Sequence, residues 1–421
     1  MKYQIHTLKN GLRIVLAPTP ETKTATVIVM TGTGSRYENE RENGLAHFLE
    51  HMFFKGTKRR KKAKIIAEEL EGIGGVYNAY TAKDRTAYWA KVESHHINTA
   101  LDVVSDIFLN STLPEKEIQK ERGTIIQEID MYEDMPMRTV DEEFDALMFN
   151  KNHPLGRTVL GPKENIRRFT RSDFKTYHKR NYVPANTVVC IAGSFSAAKV
   201  LAKIKREFAG LKHKKPPALI PFTKKQDGAR IKIKQKKTDQ THFILGVPAY
   251  PLEHKDETVL SVLTTILGSG MSSRLFTEVR EKRGLAYSVH AWTERYPDTG
   301  YFAVQAGVAH DKLEKTISVI LGELKKIKNA RVSVAELKKA KDYMKGRLAL
   351  SLETSDSIAG YLATSLITRN KIRMPEETVK QIDKVTAADI ERVAGEIFRT
   401  ESLNLAIIGP HTTDYNSILK L

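Results

Sequence analysis

Apolar and polar residues alternate from the start of the chain, and Met1 to Pro18 follows the period of a first strand. It has neither the continuous apolar core nor the small-residue cleavage site of a signal peptide. Leu12-Arg13-Ile14-Val15-Leu16 and Thr24-Ala25-Thr26-Val27-Ile28-Val29 are rich in β-branched residues, with a Pro-Thr-Pro turn between them. The period then lengthens. Gly44 to Phe54 holds good helix formers with no internal breaker. Lys62 to Ile73 carries Ile65, Ile66, Leu70 and Ile73 at helical spacing and stops in a glycine run. Two strands, Val76 to Thr81 and Thr86 to Val92, flank an Ala-Lys-Asp-Arg turn. Ile97 to Leu109 is an amphipathic helix, and Pro114 opens another that runs to about Tyr132. Asn186 to Gly193 is an apolar run of the buried-strand type, so Cys190 within it reads as a small core residue and not a nucleophile.

A length of 421 residues predicts two or three domains. Composition is that of a globular chain, with 41% hydrophobic and 28% charged residues. No run approaches the roughly 20 apolar residues of a membrane span. The single cysteine excludes an intrachain disulfide and a Cys-rich metal cluster, and makes the reducing cytoplasm the expected location. The net charge of +18 is the unusual quantity. Its basic runs, Lys58–Lys64, Lys212–Lys215 and Lys232–Lys237, have no interleaved aromatics and no recognition-helix pattern. They read as solvated faces, with no nucleic-acid binding as a main role.

Lys212-His213-Lys214-Lys215-Pro216-Pro217 is a linker signal near the midpoint, and the two sides resemble each other. Gly72 to Thr81 aligns with Gly284 to Thr293, Ala87-Tyr88-Trp89-Ala90 with Gly300-Tyr301-Phe302-Ala303, and Glu117-Ile118-Gln119-Lys120 with Glu336-Leu337-Lys338-Lys339. The expected architecture is α+β, with two homologous domains, each a mostly antiparallel sheet packed with helices. The expected boundaries are 1–212 for the first domain, 213–228 for the linker and 229–421 for the second.

His47-Phe48-Leu49-Glu50-His51 carries the sharpest chemical signal. Residues i and i+4 share a helix face, with Cβ atoms about 5–6 Å apart. Two imidazoles so placed can grip one zinc ion, and Glu50 lies near the same face. The order inverts the commoner HExxH arrangement. A catalytic zinc needs a third ligand. Glu121 and Glu128 are two turns apart on one helix, so Glu128 could complete a His₂Glu set while Glu121 hydrogen-bonds a ligand histidine from behind. In the second repeat these five positions fall on Val259, Val262, Leu263, Ala340 and Arg347. A duplication with loss of the site in one copy explains that contrast simply. Gly268-Ser269-Gly270 is too short for a phosphate loop, and no serine sits in a nucleophile elbow.

Through Asn10-Gly11-Leu12, Gly44 to Met52 and Gly268 to Tyr287, the chain resembles the inverted-zinc-motif peptidases typified by pitrilysin, insulysin and the mitochondrial processing peptidase, most closely their short bacterial members. The resemblance implies a zinc-dependent endopeptidase acting on peptides or unfolded segments. His47, His51 and Glu128 would hold one Zn²⁺ per chain, Glu121 would take the second acidic position, and Glu50 would be the general base. Arg280 and Tyr287, seven apart, would contact substrate near the scissile bond, with Tyr287 donating to the oxyanion. Asn78 and Ala79 would lie on the edge strand that pairs with substrate backbone. The chain would be half of a clamshell, so a homodimer is expected, with a heterodimer with a related chain as the alternative. Arg280 and Tyr287 would then reach the zinc of the opposite half. The alternative function is a non-catalytic scaffold or partner subunit of a heterodimeric peptidase, with no membrane role in either case.

Overall fold

Asn10 and Gly11 divide the first alternating stretch. Gly11 has φ +90°, a conformation that favours glycine, and Leu8 N–H donates to Leu12 O at 2.8 Å. The single first strand expected over Met1 to Pro18 is therefore a hairpin of β1 (Gln4–Thr7) and β2 (Arg13–Pro18). The structure, a computed structural model, describes residues 2–223, 225–413 and 415–421. Met1 of the expected first strand, Lys224 of the expected linker and Asp414 lie outside the described residues.

The chain continues through β3 (Thr24–Thr31), β4 (Val76–Thr81), β5 (Thr86–Glu93) and β6 (Thr187–Gly193). It then forms β7 (Arg230–Gln235), β8 (Thr241–Ala249), β9 (Ala286–Arg295), β10 (Gly300–Val308) and β11 (Asn404–Gly409). One sheet has the order β1-β2-β6-β3-β5-β4, the other β7-β11-β8-β10-β9. Their shared part has the same topology. β2 pairs with β6 in parallel as β7 does with β11, and the remaining pairs are antiparallel in both. The internal repeat is thus a repeat of fold. Even the helix entries correspond, since Thr170 and Asp173 form a capping box before Arg171–Asn181, and Thr386 and Asp389 form one before Ala387–Ile397.

Two compact units divide the chain, and neither is contiguous. The first takes in the chain up to Ile129, with Thr158–Ile220 and Ala349–Met374. The second is Asp130–Arg157, Pro221–Leu348 and Pro375–Leu421. In the first unit, one sheet face presents Ile14, Leu16, Val27, Val29, Val189 and Ile191 to a core shared with the helices Leu45–Phe53 and Ile97–Asn110. The opposite face presents Val15, Ala17, Ile28, Met30, Val188 and Cys190 to Ile358, Ala359, Leu362, Ala363 and Leu366 of the helix Ser355–Arg369. Both faces are covered, which is why β6 reads as an unbroken apolar run. Ser355 Oγ meets Thr24 and Thr26 Oγ1 at 3.0 and 2.9 Å. Such contacts add about 1 kcal/mol each, whereas each buried aliphatic side chain is worth about 1.5–3 kcal/mol, so apolar burial fastens this helix.

The second unit repeats the plan. Its sheet packs on one side against Glu257–Gly268, Leu313–Asn329 and Ala387–Ile397. On the other side lie Val140, Phe144, Met148 and Phe149 of the helix Pro136–Phe149. Each unit therefore completes its sandwich with a helix from the other half of the sequence.

Leu45–Phe53 begins at Gly44, whose φ of +101° and close approach to Leu160 O leave no room for a Cβ. The buried Glu38 carboxylate accepts from Gly44 N–H at 3.0 Å, Ala46 N–H at 2.6 Å and Asn43 Nδ2 at 3.2 Å. Burial pushes this carboxyl up to about 7, against the pull of those donors. Glu38→Ala leaves two helix N–H groups unsatisfied and should cost about 1–3 kcal/mol in urea unfolding. An unchanged midpoint and slope would show that the cap contributes nothing.

Candidate active site

Six residues of Leu45–Phe53, namely Leu45, Ala46, Phe48, Leu49, Met52 and Phe53, belong to the first unit's core. The polar stripe His47, Glu50 and His51 is what remains. His47 is buried and His51 half-buried, with ring centroids 4.7 Å apart. Glu121 and Glu128 project from the helix Glu115–Glu133. Glu128 Oε2 lies 3.6 Å from His47 Nε2 and 3.6 Å from His51 Nε2. One ligand atom from each of these three residues falls within 4.8 Å of the others, so the group could hold a metal ion.

The arrangement fits zinc. Two bonds of about 2.0–2.1 Å at a tetrahedral angle set ligand atoms about 3.3 Å apart, close to both 3.6 Å separations. That distance is too long for a hydrogen bond. His47 Nδ1 is buried without a hydrogen-bond partner. Burial, then the neighbouring His51, pulls His47 down to about 3, so it is a neutral imidazole with a lone pair to give.

His51 is oriented from behind. Its Nδ1 lies 2.8 Å from Glu121 Oε1, which places the ring proton there and leaves Nε2 facing Glu128. Lys55 Nζ meets Glu121 Oε2 at 2.6 Å. Burial pulls Glu121 upward, but the His51 and Lys55 bonds win and hold it below the usual carboxylate range. Burial is opposed in the same way at His51, where Glu121, Glu50 and Glu128 raise the imidazole overall. Burial raises Glu128, with His51 pulling the other way. Glu50 is raised by burial, and its Oε2 accepts from Thr81 Oγ1 at 2.6 Å.

Thr81 ends β4, the edge of its sheet. Asn78 is exposed and Ala79 half-buried on the same strand. Asn78 Oδ1 accepts from Ala79 N–H at 2.8 Å, a contact that a peptide adding along this edge must displace. Arg280 and Tyr287 belong to the second unit, where they meet each other. Arg280 Nη1 donates to Tyr287 O at 2.8 Å, and the guanidinium sits 4.7 Å from the Tyr287 ring centroid and 4.8 Å from that of Phe276. Tyr287 is 78% exposed, so its hydroxyl end is accessible.

Three contributors escape sequence reasoning: Thr81, Lys55 and Glu38. Lys55 stands four residues after His51 but two residues past the helix end at Phe53, so helical spacing does not assign it to a face. No periodicity connects Thr81 with Glu50.

Residues 13–163 match the family described as Insulinase (Peptidase family M16), and residues 168–344 match the Peptidase M16 inactive domain. An uncharacterized zinc protease of Bacillus subtilis (strain 168) is 35% identical over 405 residues, covering 96% of this chain and 98% of that protein. An uncharacterized zinc protease of Rickettsia felis is 36% identical over 412 residues, covering 97% and 98%. The crystal structure of a protease from Helicobacter pylori superposes with a TM-score of 0.90 at 29% identity, covering 97% of this chain and 99% of that one.

The geometry predicts that Glu121→Ala lowers zinc affinity by about 10–100-fold, because His51 loses the acceptor that fixes its ring. Competition against a chromophoric chelator measures this. Equal affinities in variant and wild type would remove Glu121 from the centre.

Proposed function

The chain belongs to the M16 peptidase family, and from that premise we propose that it is a zinc-dependent endopeptidase acting on peptides or unfolded polypeptide segments. The observation that carries the reading is the convergence of His47, His51 and Glu128 on one point, with Glu50 beside them. The relatives named as zinc proteases support it. The second half matches a domain described as inactive, and its corresponding helix carries Val259, Val262 and Leu263 in the core, so hydrolysis rests on the first half.

One zinc ion per chain, held by His47, His51 and Glu128, would lower the pKa of a water toward about 7 and polarise the scissile carbonyl. Glu50 takes the proton of the attacking water and returns it to the leaving amine as the C–N bond breaks. Burial raises its carboxyl, with the Thr81 bond pulling the other way. Thr81 fixes the direction of that carboxylate, and Lys55 holds Glu121 against His51. A substrate strand adds along β4 near Asn78 and Ala79, reading backbone more than sequence. The Tyr287 hydroxyl donates to the developing oxyanion, and Arg280 both anchors a carbonyl and packs on the Tyr287 ring.

The proposed assembly is a homodimer in which Arg280 and Tyr287 serve the partner's zinc centre, with a related chain as the alternative partner. No helix among the described residues is long and apolar enough to cross a membrane. A cytoplasmic location goes with the one cysteine, Cys190, which is buried and unpaired.

Glu50→Gln should keep full zinc content while hydrolysis of a quenched fluorogenic peptide falls about 10²–10⁴-fold. Thr81→Val should lower kcat about tenfold or more with little change in KM, reflecting one lost bond to a charged group, and Thr81→Ser should restore it. Full activity in Glu50→Gln sinks the mechanism. Equal kcat in Thr81→Val and wild type removes Thr81 alone. Mixing Glu50→Gln and Tyr287→Phe chains should regain activity that neither has alone, and no regain in a verified mixed dimer refutes the shared site.

A further inference from the structure

β5 ends at Glu93, and one turn, Ser94–His96, leads into the helix Ile97–Asn110. The turn is fixed from both sides. Val92 and Ile97 are buried, and Ser94 N–H donates to Lys23 O at 2.9 Å. This pinned backbone gathers a carboxylate and two imidazoles at the surface. His95 Nδ1 is 2.6 Å from Glu93 Oε2, and the His95 and His96 ring centroids are 4.1 Å apart. One ligand atom from each of the three lies within 4.8 Å of the others.

The cluster is separate from the His47 centre. Thr86, at the other end of β5, pairs with Thr81, whose hydroxyl holds Glu50. Seven residue steps of strand run from Thr86 to Glu93, about 23 Å at 3.3 Å per step.

We propose that Glu93, His95 and His96 form a second metal site, for a divalent late first-row transition ion such as Zn²⁺ or Cu²⁺. The donor set decides the class of ion. Calcium and magnesium take oxygen ligands, whereas imidazole with one carboxylate suits zinc, copper and nickel. Exposure sets the strength. Glu93 and His95 are solvent-exposed, so bound ions keep water ligands, and the N-terminal end of Ile97–Asn110 opposes a cation. That opposition is small beside ligation, and the Glu93 carboxylate offsets it. The site is therefore weaker than the His47 centre and fills after it.

Equilibrium dialysis of the intact chain against zinc buffered at rising free concentrations tests this, with His95→Ala/His96→Ala and Glu93→Gln alongside. The side chains are exposed, and the metal-free variants should keep the wild-type circular dichroism spectrum. Wild type should take up one equivalent more than the double variant, Glu93→Gln should fill that equivalent only at higher free zinc, and Cu²⁺ should fill it at lower concentration than Zn²⁺. Superimposable isotherms for wild type and the double variant overturn the proposal. One equivalent in wild type and none in the double variant supports the surface site and instead refutes zinc binding at His47.

Discussion

Glu128 Oε2 approaches Nε2 of His47 and His51 at the same distance, 3.6 Å, and the first unit is organised around that shared approach. The imidazoles ride on a nine-residue helix, too short to persist alone in water. Its position must come from burial, and six of its nine residues are core. A site carried by a packed helix inherits the rigidity of the core, because interiors this dense do not let a helix drift. Glu38 closes the N-terminal end, and Glu115–Glu133 inserts Ile118, Ile125 and Ile129 into the same core, which fixes where Glu128 can reach.

The sister unit shows what that arrangement costs. It keeps the sheet order and the helix that follows β8, but places Val259, Val262 and Leu263 in its core and leaves Arg347 exposed. An apolar version of the helix is the simpler solution for packing. The first unit instead buries His47 with an unpartnered Nδ1 and raises two carboxyls by desolvation. Polar groups kept at such expense in one copy, and absent from the other, point to chemistry more than to stability.

Local signals in the sequence carried much of this. The strands at 76–81 and 86–93, the helix over 45–53 and the duplication are legible because period and breakers are local properties. The hairpin at Asn10-Gly11 was hidden by alternation that runs on either side of the turn. Ile65, assigned to an apolar face, is 37% exposed beside the buried Ile66, since spacing alone does not fix the centre of a helix's buried stripe. The exchange of helices between the two halves of the sequence left no local trace either. Ser355–Arg369 and Pro136–Phe149 read as helices, but nothing in their periodicity names the sheet they cover. Thr81 is a case of the same kind, since its bond to Glu50 depends on where an edge strand ends and not on any spacing within it.

The inner and outer clusters share two imidazoles and a carboxylate, so donor chemistry alone does not rank them. The supporting groups do. Inside, the labour is divided: Glu121 orients His51 and is itself held by Lys55, while Glu128 is left free to face the point where the imidazoles converge. Outside, Glu93 lies 2.6 Å from His95 Nδ1, so one carboxylate would have to orient a ring and serve as a ligand at once. An ion entering there must first break that contact in water, whereas the inner donors already stand at nearly the spacing that tetrahedral ligation requires. Preorganisation, and not the identity of the ligands, separates a centre able to do chemistry from one able only to bind.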